Sequence, residues 1–162
     1  TAAKAAKILK ELHCPFVIDQ SRYSIFDRTI IENGLRESAV ENGLGIIAFS
    51  PLAQGLLTDK YLHGMPAGSR MAKTEQRGVG FLPKERLTAE KVAQITALDA
   101  IAKKRCQTLA QLALSWVLAD TAVTSVLIGA SSAAQIKENA AIVTAAPLTK
   151  EELAAIEVAA QL

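Results

Sequence analysis

The chain has 162 residues, half of them apolar, and a formal net charge of +2 at pH 7. A net charge this small does not indicate binding to nucleic acid or to an acidic membrane surface. Because no apolar run approaches the roughly 20 residues of a membrane helix and no signal peptide opens the sequence, we expect one soluble globular unit with a substantial core.

The cysteines and histidines indicate neither a disulfide framework nor a metal site. Cys14 and Cys106 lie far apart in the sequence and form no CxxC pattern. His13 and His63 do not complete a metal-ligand spacing with them. We therefore expect ordinary reduced thiols, a cytoplasmic location and no bound metal.

The first part of the chain predicts a helix and then a strand. Residues 1–13 are rich in alanine and lysine, with apolar residues at helical spacing, which is typical of the last turns of a helix that begins before the sequence does. Pro15 ends this helix, and residues 16–18 predict a strand that leads to Gln20. A polar and aromatic loop over residues 21–28 follows at the carboxyl end of that strand.

A second helix and a second strand continue the alternation. Residues 29–42 predict a helix that the Asn42-Gly43 pair ends. Its inward-facing residues would be Ile30, Leu35 and Ala39.

The apolar run over residues 46–49 has the length of a buried parallel strand. Pro51 fixes φ and removes a donor, so the backbone leaves the sheet there and carries Gln54 and Gly55 across the strand's carboxyl end. Ligands of parallel α/β proteins bind at that end of the strands. The order helix, strand, helix, strand predicts such a protein.

A long irregular region over residues 58–87 separates this strand from the next helices. Regions of this length are typical of lids, binding loops or disordered segments, and its glycines match neither GxGxxG nor a Walker pattern. Helices are predicted over residues 88–104 and 109–119. The spacing of Trp116 favours a core position over a binding site.

The last strand is predicted over residues 123–128, followed by a helix over residues 133–142. Ser132 and Gln135 form a capping-box pattern at the start of that helix. A strand, small residues and a helix start make an anion site, although Ser131 and Ser132 could equally serve only as caps.

A second capping box, Thr149 to Glu152, opens a final amphipathic helix. Leu153 and Ile156 would face inward. We expect this helix to pack over the outside of the sheet.

Three stretches, in the expected order, resemble motifs of the aldo-keto reductases. QSRYS from Gln20, with Arg28 and Glu32 behind it, resembles the strand-six segment of that family. FSPLAQGLLTDKY from Phe49 resembles its strand-seven motif, and VLIGAS from Val126, followed by QI and EN, resembles its closing segment. The resemblance is closest to the potassium-channel-beta-like and glyceraldehyde-phosphate-reductase-like branch.

The resemblance implies an α/β fold, the (β/α)₈ TIM barrel, of which residues 1–162 would be the carboxyl-terminal portion of a single NADP(H)-binding domain, with about the last three strands. Residues 58–87 would fold over the cofactor. A whole barrel takes about 250 residues, and strands cut from one leave unpaired edges. We therefore expect the chain to need its missing amino-terminal half-barrel or to self-associate, and otherwise to aggregate or stay molten.

The resemblance also implies NADPH as the cofactor. Gln20 would hydrogen-bond the nicotinamide carboxamide, unless it bonds only the loop backbone. Phe49 would lie against the nicotinamide ring, unless it is a core aromatic. The pyrophosphate would be lined by the turn that follows: Ser50, Pro51, Leu52, Gln54 and Gly55.

The charged and adenosine-binding positions follow from the same resemblance. Lys60 would balance phosphate charge and Arg70 would meet the adenosine 2′-phosphate, unless both are solvated surface residues. Ser132 stands where many members have arginine, which weakens the preference for NADPH over NADH without reversing it. The adenosine and its ribose phosphate would be held by Gly129, Ser131, Gln135, Glu138 and Asn139.

The catalytic tyrosine, lysine, aspartate and histidine of that family lie on the first half of its barrel, and this sequence begins after them. Tyr23 and Tyr61 match other motif positions, so we predict no catalytic residue in this chain. The implied function is NADPH-dependent reduction of small aldehydes or ketones by hydride transfer, with this chain supplying the cofactor-binding half. The alternatives are a regulatory NADP(H)-binding subunit like the potassium-channel beta proteins, or an inactive half-barrel.

Overall fold

The computed structural model describes residues 2–14, 17–67, 69–78 and 82–161. Within these residues, three parallel strands form one sheet in the order β1, β2, β3. The strands are β1 (Ile18–Arg22), β2 (Gly45–Phe49) and β3 (Val123–Leu127). The helices are α1 (Ala2–Glu11), α2 (Thr29–Glu32), α3 (Leu35–Glu41), α4 (Arg70–Arg77), α5 (Ala89–Lys104), α6 (Leu109–Ala119), α7 (Ala133–Ala140) and α8 (Lys150–Ala160).

The predicted parallel α/β architecture is confirmed, and each strand lies within a few residues of its expected position. β1 extends further than predicted, because Ser21 and Arg22 still pair with β2 and the loop begins only after them. Pro15 and Phe16, which carried the prediction of a helix stop and a strand start, lie outside the described residues.

One face of the sheet is covered by helices and forms the core. Ile46 and Ala48 on β2 are fully buried, and Val123 on β3 pairs with Ile46 on the same face. Helix α3 packs on β2 and helix α6 packs on β3. This alternation of buried and less buried residues is what a pleated strand with one covered face requires.

The opposite face of the sheet is open. Ile18 is 42% exposed and Leu127 is 55% exposed. Ile18, Gln20 and Arg22 share this face with Ile47 and Phe49, because residues two apart on a strand point the same way and the pairing register aligns them.

A β-bulge shifts the pairing register between β2 and β3 by one residue. Ile46 pairs with Val123 but Ile47 pairs with Ser125, which leaves Thr124 as an extra residue. The bulge keeps Val126 on the covered face opposite Ala48. A side chain at Gly45 would collide with the Thr124 hydroxyl, so a larger residue there would require the Thr124 side chain to shift.

The predicted single helix over residues 29–42 is wrong, because the chain breaks it into α2 and α3. Gly34 adopts a left-handed conformation with φ of 73°, which glycine reaches without strain. The side chain of Asn33 accepts a hydrogen bond from the Leu35 amide across the break. The Asn33-Gly34 pair is the same stop signal that we expected only at Asn42-Gly43.

The predicted irregular region over residues 58–87 contains helix α4, so that prediction is corrected. The hydroxyl of Ser69 accepts a hydrogen bond from the Ala72 amide at 3.2 Å and caps the helix. Gly78 ends it with φ of 66°. Both signals are present in the sequence, and the residues between them are mostly good helix formers.

The helices at 88–104 and 109–119 are confirmed as α5 and α6. Trp116 is 7% exposed and packs against Tyr23 with ring centroids 5.2 Å apart, so the core interpretation of this tryptophan is confirmed. Helix α7 ends at Ala140, earlier than predicted, and continues as a 3₁₀ turn over Ala141–Thr144.

The final helix, α8, packs against α5, which corrects the expected position over the sheet. Ile156 is fully buried and Leu153 packs against the core, as predicted. The capping box from Thr149 to Glu152 is confirmed by both of its hydrogen bonds.

Candidate cofactor-binding site

The loop after β2 adopts an unusual backbone conformation at the carboxyl end of the sheet. Ser50, Ala53 and Gln54 have φ values of 54°, 47° and 61°, which are rare for residues other than glycine. Residues held in such conformations cluster at ligand-binding and active sites. Gly55 follows with φ of 101°.

Hydrogen bonds and burial hold this loop in place. The Gln54 side-chain amide donates to the Ser50 hydroxyl at 3.2 Å, and the Thr58 hydroxyl donates to the Gly55 carbonyl at 2.6 Å. Leu57 is fully buried beneath the loop, and Tyr61 is 1% exposed. These contacts offset the local strain and keep the loop as one preformed structure.

A cavity of about 440 Å³ lies beside this loop, which is within the range of small-molecule sites. Its walls come from the ends of β2 and β3 and the segments after them, from the start of α6, and from α7. Most of the cofactor-binding residues predicted from the sequence line it: Phe49, Ser50, Pro51, Leu52, Gln54, Gly55, Lys60, Gly129, Gln135, Glu138 and Asn139.

Three of the predicted residues are not among the described residues that line the cavity. Gln20 is exposed on β1, on the open face of the sheet. Ser131 is exposed beside the cavity, where its amide donates to the Gln135 side chain at 2.8 Å. The side chain of Arg70 lies outside the part of the chain that the structure describes.

The start of α7 is only partly capped in the predicted manner. The Ser132 hydroxyl accepts a hydrogen bond from the Gln135 amide at 3.3 Å, as the capping box requires. The Gln135 side chain bonds to Ser131 instead of returning to the Ser132 amide, so the second half of the box is corrected. Asn139, in the last turn of α7, is a buried polar residue with 6% exposure that lines the cavity.

Several lining residues were not predicted. Leu127 and Ile128 lie at the carboxyl end of β3, where the general rule for parallel sheets places a site. Thr108 and Ala110 come from the start of α6, and no local sequence pattern indicates that this helix start lies beside the sheet. The Gln111 side chain donates to the Glu138 carbonyl at 2.8 Å and ties α6 to α7. The other unpredicted lining residues are Thr58, Asp59 and Tyr61.

Comparison with known proteins identifies the family. The profile described as "Aldo/keto reductase family" matches residues 1–161. The chain belongs to the aldo/keto reductase family. It is 43% identical over 154 residues to L-glyceraldehyde 3-phosphate reductase of Escherichia coli K12, covering 95% of this chain and 44% of that protein.

A second curated relative and a solved structure are also similar to this chain over most of its length. A probable voltage-gated potassium channel subunit beta of Arabidopsis thaliana is 34% identical over 133 residues, covering 82% of this chain and 40% of that protein. The chain thus spans less than half the length of these curated relatives. It also resembles the holo form of an aldo-keto reductase from Bacillus halodurans, with a TM-score of 0.64, 28% identity, and coverage of 95% of this chain and 46% of that one.

The fold is that of the aldo-keto reductase TIM barrel. A glycerol dehydrogenase from Gluconobacter oxydans superimposes with a TM-score of 0.74 at 24% identity, covering 96% of this chain and 45% of that chain. The three parallel strands and their helices therefore correspond to about 45% of an aldo-keto reductase structure.

A polar network ties β1 to α3 and α6 in this aldo-keto reductase chain. The Arg36 guanidinium donates two hydrogen bonds to the Asp120 carboxylate at 2.7 and 2.6 Å. The Tyr23 hydroxyl donates to the same carboxylate at 3.3 Å, and the Ala122 amide donates at 3.0 Å. Burial alone would raise the pKa of Asp120, but these hydrogen bonds hold it below its usual range.

Both tyrosines of the chain serve as structural groups. Burial and the neighbouring Asp120 charge raise the pKa of the Tyr23 phenol well above its ordinary value, so this residue is a poor proton donor. The Tyr61 hydroxyl accepts a hydrogen bond from the Met71 amide at 3.4 Å inside the core.

In the ranges that the structure describes, no group of three or more histidine, cysteine, aspartate or glutamate residues could hold a metal ion. None of the described helices is both long and apolar enough to span a membrane. Cys14 and Cys106 are both free and exposed.

Proposed function

We propose that this chain forms the NADPH-binding part of an aldo-keto reductase that reduces small aldehydes or ketones. The observation that carries this proposal is the convergence of the predicted cofactor residues on one cavity at the carboxyl ends of parallel strands. Ligands bind at this end in parallel α/β proteins. When bound, NADPH would supply the hydride for carbonyl reduction.

The nicotinamide end of the cofactor fits the β2 side of the cavity. Phe49 offers an aromatic face at the strand end, which would fix the side of the nicotinamide ring that meets the substrate. Gln20 lies on the neighbouring strand and shares its face with Phe49, so its side-chain amide is suited to the carboxamide group.

The phosphate end fits the strained loop and the start of α7. The Ser50 hydroxyl, the exposed Lys60 ammonium and the amides at the start of α7 would meet the phosphates. Gln135, Glu138 and Asn139 would hold the adenosine. The 43% identity to L-glyceraldehyde 3-phosphate reductase of Escherichia coli K12 supports this assignment.

We extend the proposal to three further features. The segment over residues 58–87 would cover the cofactor, which is supported by the contribution of residues 58–61 to the cavity wall.

The open sheet face would be covered by an amino-terminal half-barrel or by a second copy, because Ile18 and Leu127 expose apolar surface there. The reduced thiols fit a cytoplasmic setting.

A second function, regulatory NADP(H) binding, is favoured by a specific observation. The chain is 34% identical to a probable voltage-gated potassium channel subunit beta of Arabidopsis thaliana. Such a protein would bind the cofactor without rapid turnover. An inactive half-barrel that binds nothing is the third alternative.

Titration with NADPH, followed by nicotinamide fluorescence, tests the proposal. We expect saturable binding that Phe49→Ala and Lys60→Ala each weaken about 10-fold, equal to about 1.4 kcal/mol, and that Arg70→Ala weakens for NADPH more than for NADH. Lys104→Ala is the control, because this exposed residue lies outside the cavity wall. Absence of binding by the folded protein would reject the proposed function. Because no catalytic residue is predicted in this chain, aldehyde turnover separates the reductase from the regulatory alternative only when the amino-terminal half-barrel is supplied.

A further inference from the structure

The last residue of β1 places a positive charge beside the aromatic wall of the cavity. Arg22 is the register partner of Phe49, and the centre of its guanidinium lies 5.6 Å from the centroid of the Phe49 ring. This distance is within cation–π range, so the ring holds the charged group near the open face of the sheet. The Arg22 side chain is 50% exposed in this chain, and it stands at the carboxyl end of β1, the end at which ligands of parallel α/β proteins bind.

The charge of Arg22 is only loosely compensated by the protein. Its Nε atom lies 3.9 Å from the Asp27 carboxylate, which is an ion-pair distance but too long for a hydrogen bond. Among the hydrogen bonds of the described residues, none is donated by the two terminal nitrogens of Arg22.

Other arginines of the chain show what a structural role looks like. Arg36 donates two hydrogen bonds to the Asp120 carboxylate. Arg28 forms an ion pair with Glu157, and Arg105 forms one with Glu152. Each of these guanidiniums is committed to a carboxylate. Arg22 differs because its planar fork of donors remains available, and such a fork matches the geometry of a phosphate group.

We propose that Arg22 is a phosphate-binding residue at the nicotinamide end of the site. It would take a phosphoryl group of a phosphorylated carbonyl substrate, or of the cofactor itself, next to the Phe49 ring. This inference rests on the proposed function, since Phe49 is taken as the residue against which the nicotinamide lies. It adds a specificity residue to the predicted cofactor-binding set.

Two titrations of the same variants distinguish the sources of the phosphate. The variants are Arg22→Ala, Arg22→Lys and the control Lys104→Ala. The first titration uses NADPH. The second uses glycerol 3-phosphate against glycerol, with and without saturating NADPH, followed by calorimetry.

A substrate phosphate predicts that Arg22→Ala weakens glycerol 3-phosphate binding about 10-fold and leaves NADPH affinity unchanged. A cofactor phosphate predicts the reverse. In either case Arg22→Lys recovers only part of the affinity, because an ammonium keeps the charge but loses the fork.

The inference is overturned if Arg22→Ala changes neither affinity by more than the Lys104→Ala control does. It is also overturned if the wild-type protein does not bind glycerol 3-phosphate and Arg22→Ala retains full NADPH affinity. Failure of the wild-type protein to bind NADPH would reject the proposed function, while Arg22-dependent binding of glycerol 3-phosphate alone would still support a phosphate site at this residue.

Discussion

The two faces of the sheet in this chain use the same strands for different purposes. On the covered face, Ile46 and Ala48 are fully buried under helices and contribute to the core. On the open face, Phe49 lines the cavity while Ile18 and Leu127 remain substantially exposed. One strand therefore supplies stability through alternate residues and ligand-binding groups through the residues between them.

The largest expected difference in stability is between alanine substitutions of two adjacent residues of β2. Ile46→Ala removes a fully buried side chain and should lower the free energy of unfolding by about 3 kcal/mol. Ile47→Ala, on the open face, should cost less than about 1 kcal/mol. Urea denaturation of the pair measures the contrast. Equal losses would show that the open face is also buried in solution and would remove the distinction between the faces.

The strands and the longer helices could be predicted because their signals are local. The apolar run before Pro51 and the spacing within α5 and α6 are sufficient to define those elements. The break at Gly34 and the helix α4 also have local signals, in Asn33-Gly34 and in Ser69 and Gly78.

The remaining features depend on contacts between distant parts of the chain. Tyr23 and Asp120 are 97 residues apart, and only the folded sheet brings them together. Thr108 reaches the cavity because α6 packs beside β3. The predicted site residues came from resemblance to a family rather than from local chemistry, so the pattern could not reveal Thr108 and Ala110, which lie outside the motifs.

A smaller loss of stability is expected when the hydrogen-bond network around Asp120 is disrupted. Asp120→Asn should destabilise the chain by about 2 kcal/mol at pH 7, because it removes charge from hydrogen bonds to Arg36. Folding lowers the pKa of Asp120, so its contribution is full above the ordinary value of about 3.9 and is lost as the pH falls below it.

Denaturation curves between pH 3 and 7 measure this contribution, and the difference between the variant and the wild type should narrow as the pH falls below the ordinary pKa of an aspartate. Glu75→Gln is the control, because its ion pair with Lys84 is exposed and should contribute less than about 0.5 kcal/mol. A gap between Asp120→Asn and wild type that does not change with pH would contradict the electrostatic role.

The smallest effect separates helix capping from ligand binding. Ser132 caps α7 at the cavity and Thr149 caps α8 away from it, with amide-to-hydroxyl distances of 3.3 and 3.2 Å. Replacing either by alanine should cost about 1 kcal/mol of stability. Only Ser132→Ala should also weaken NADPH binding, by about threefold or about 0.7 kcal/mol. Equal effects of the two variants on binding would argue against an anion site at α7.

The bulge at Thr124 has a consequence for how this sequence can vary. The extra residue keeps Val126 on the covered face, and its hydroxyl occupies the space where a side chain at position 45 would lie. The two positions are therefore constrained as a pair across neighbouring strands. A residue larger than glycine at position 45 would force the Thr124 side chain to shift, and a smaller residue at position 124 would relieve that clash, so we expect epistasis between the two positions.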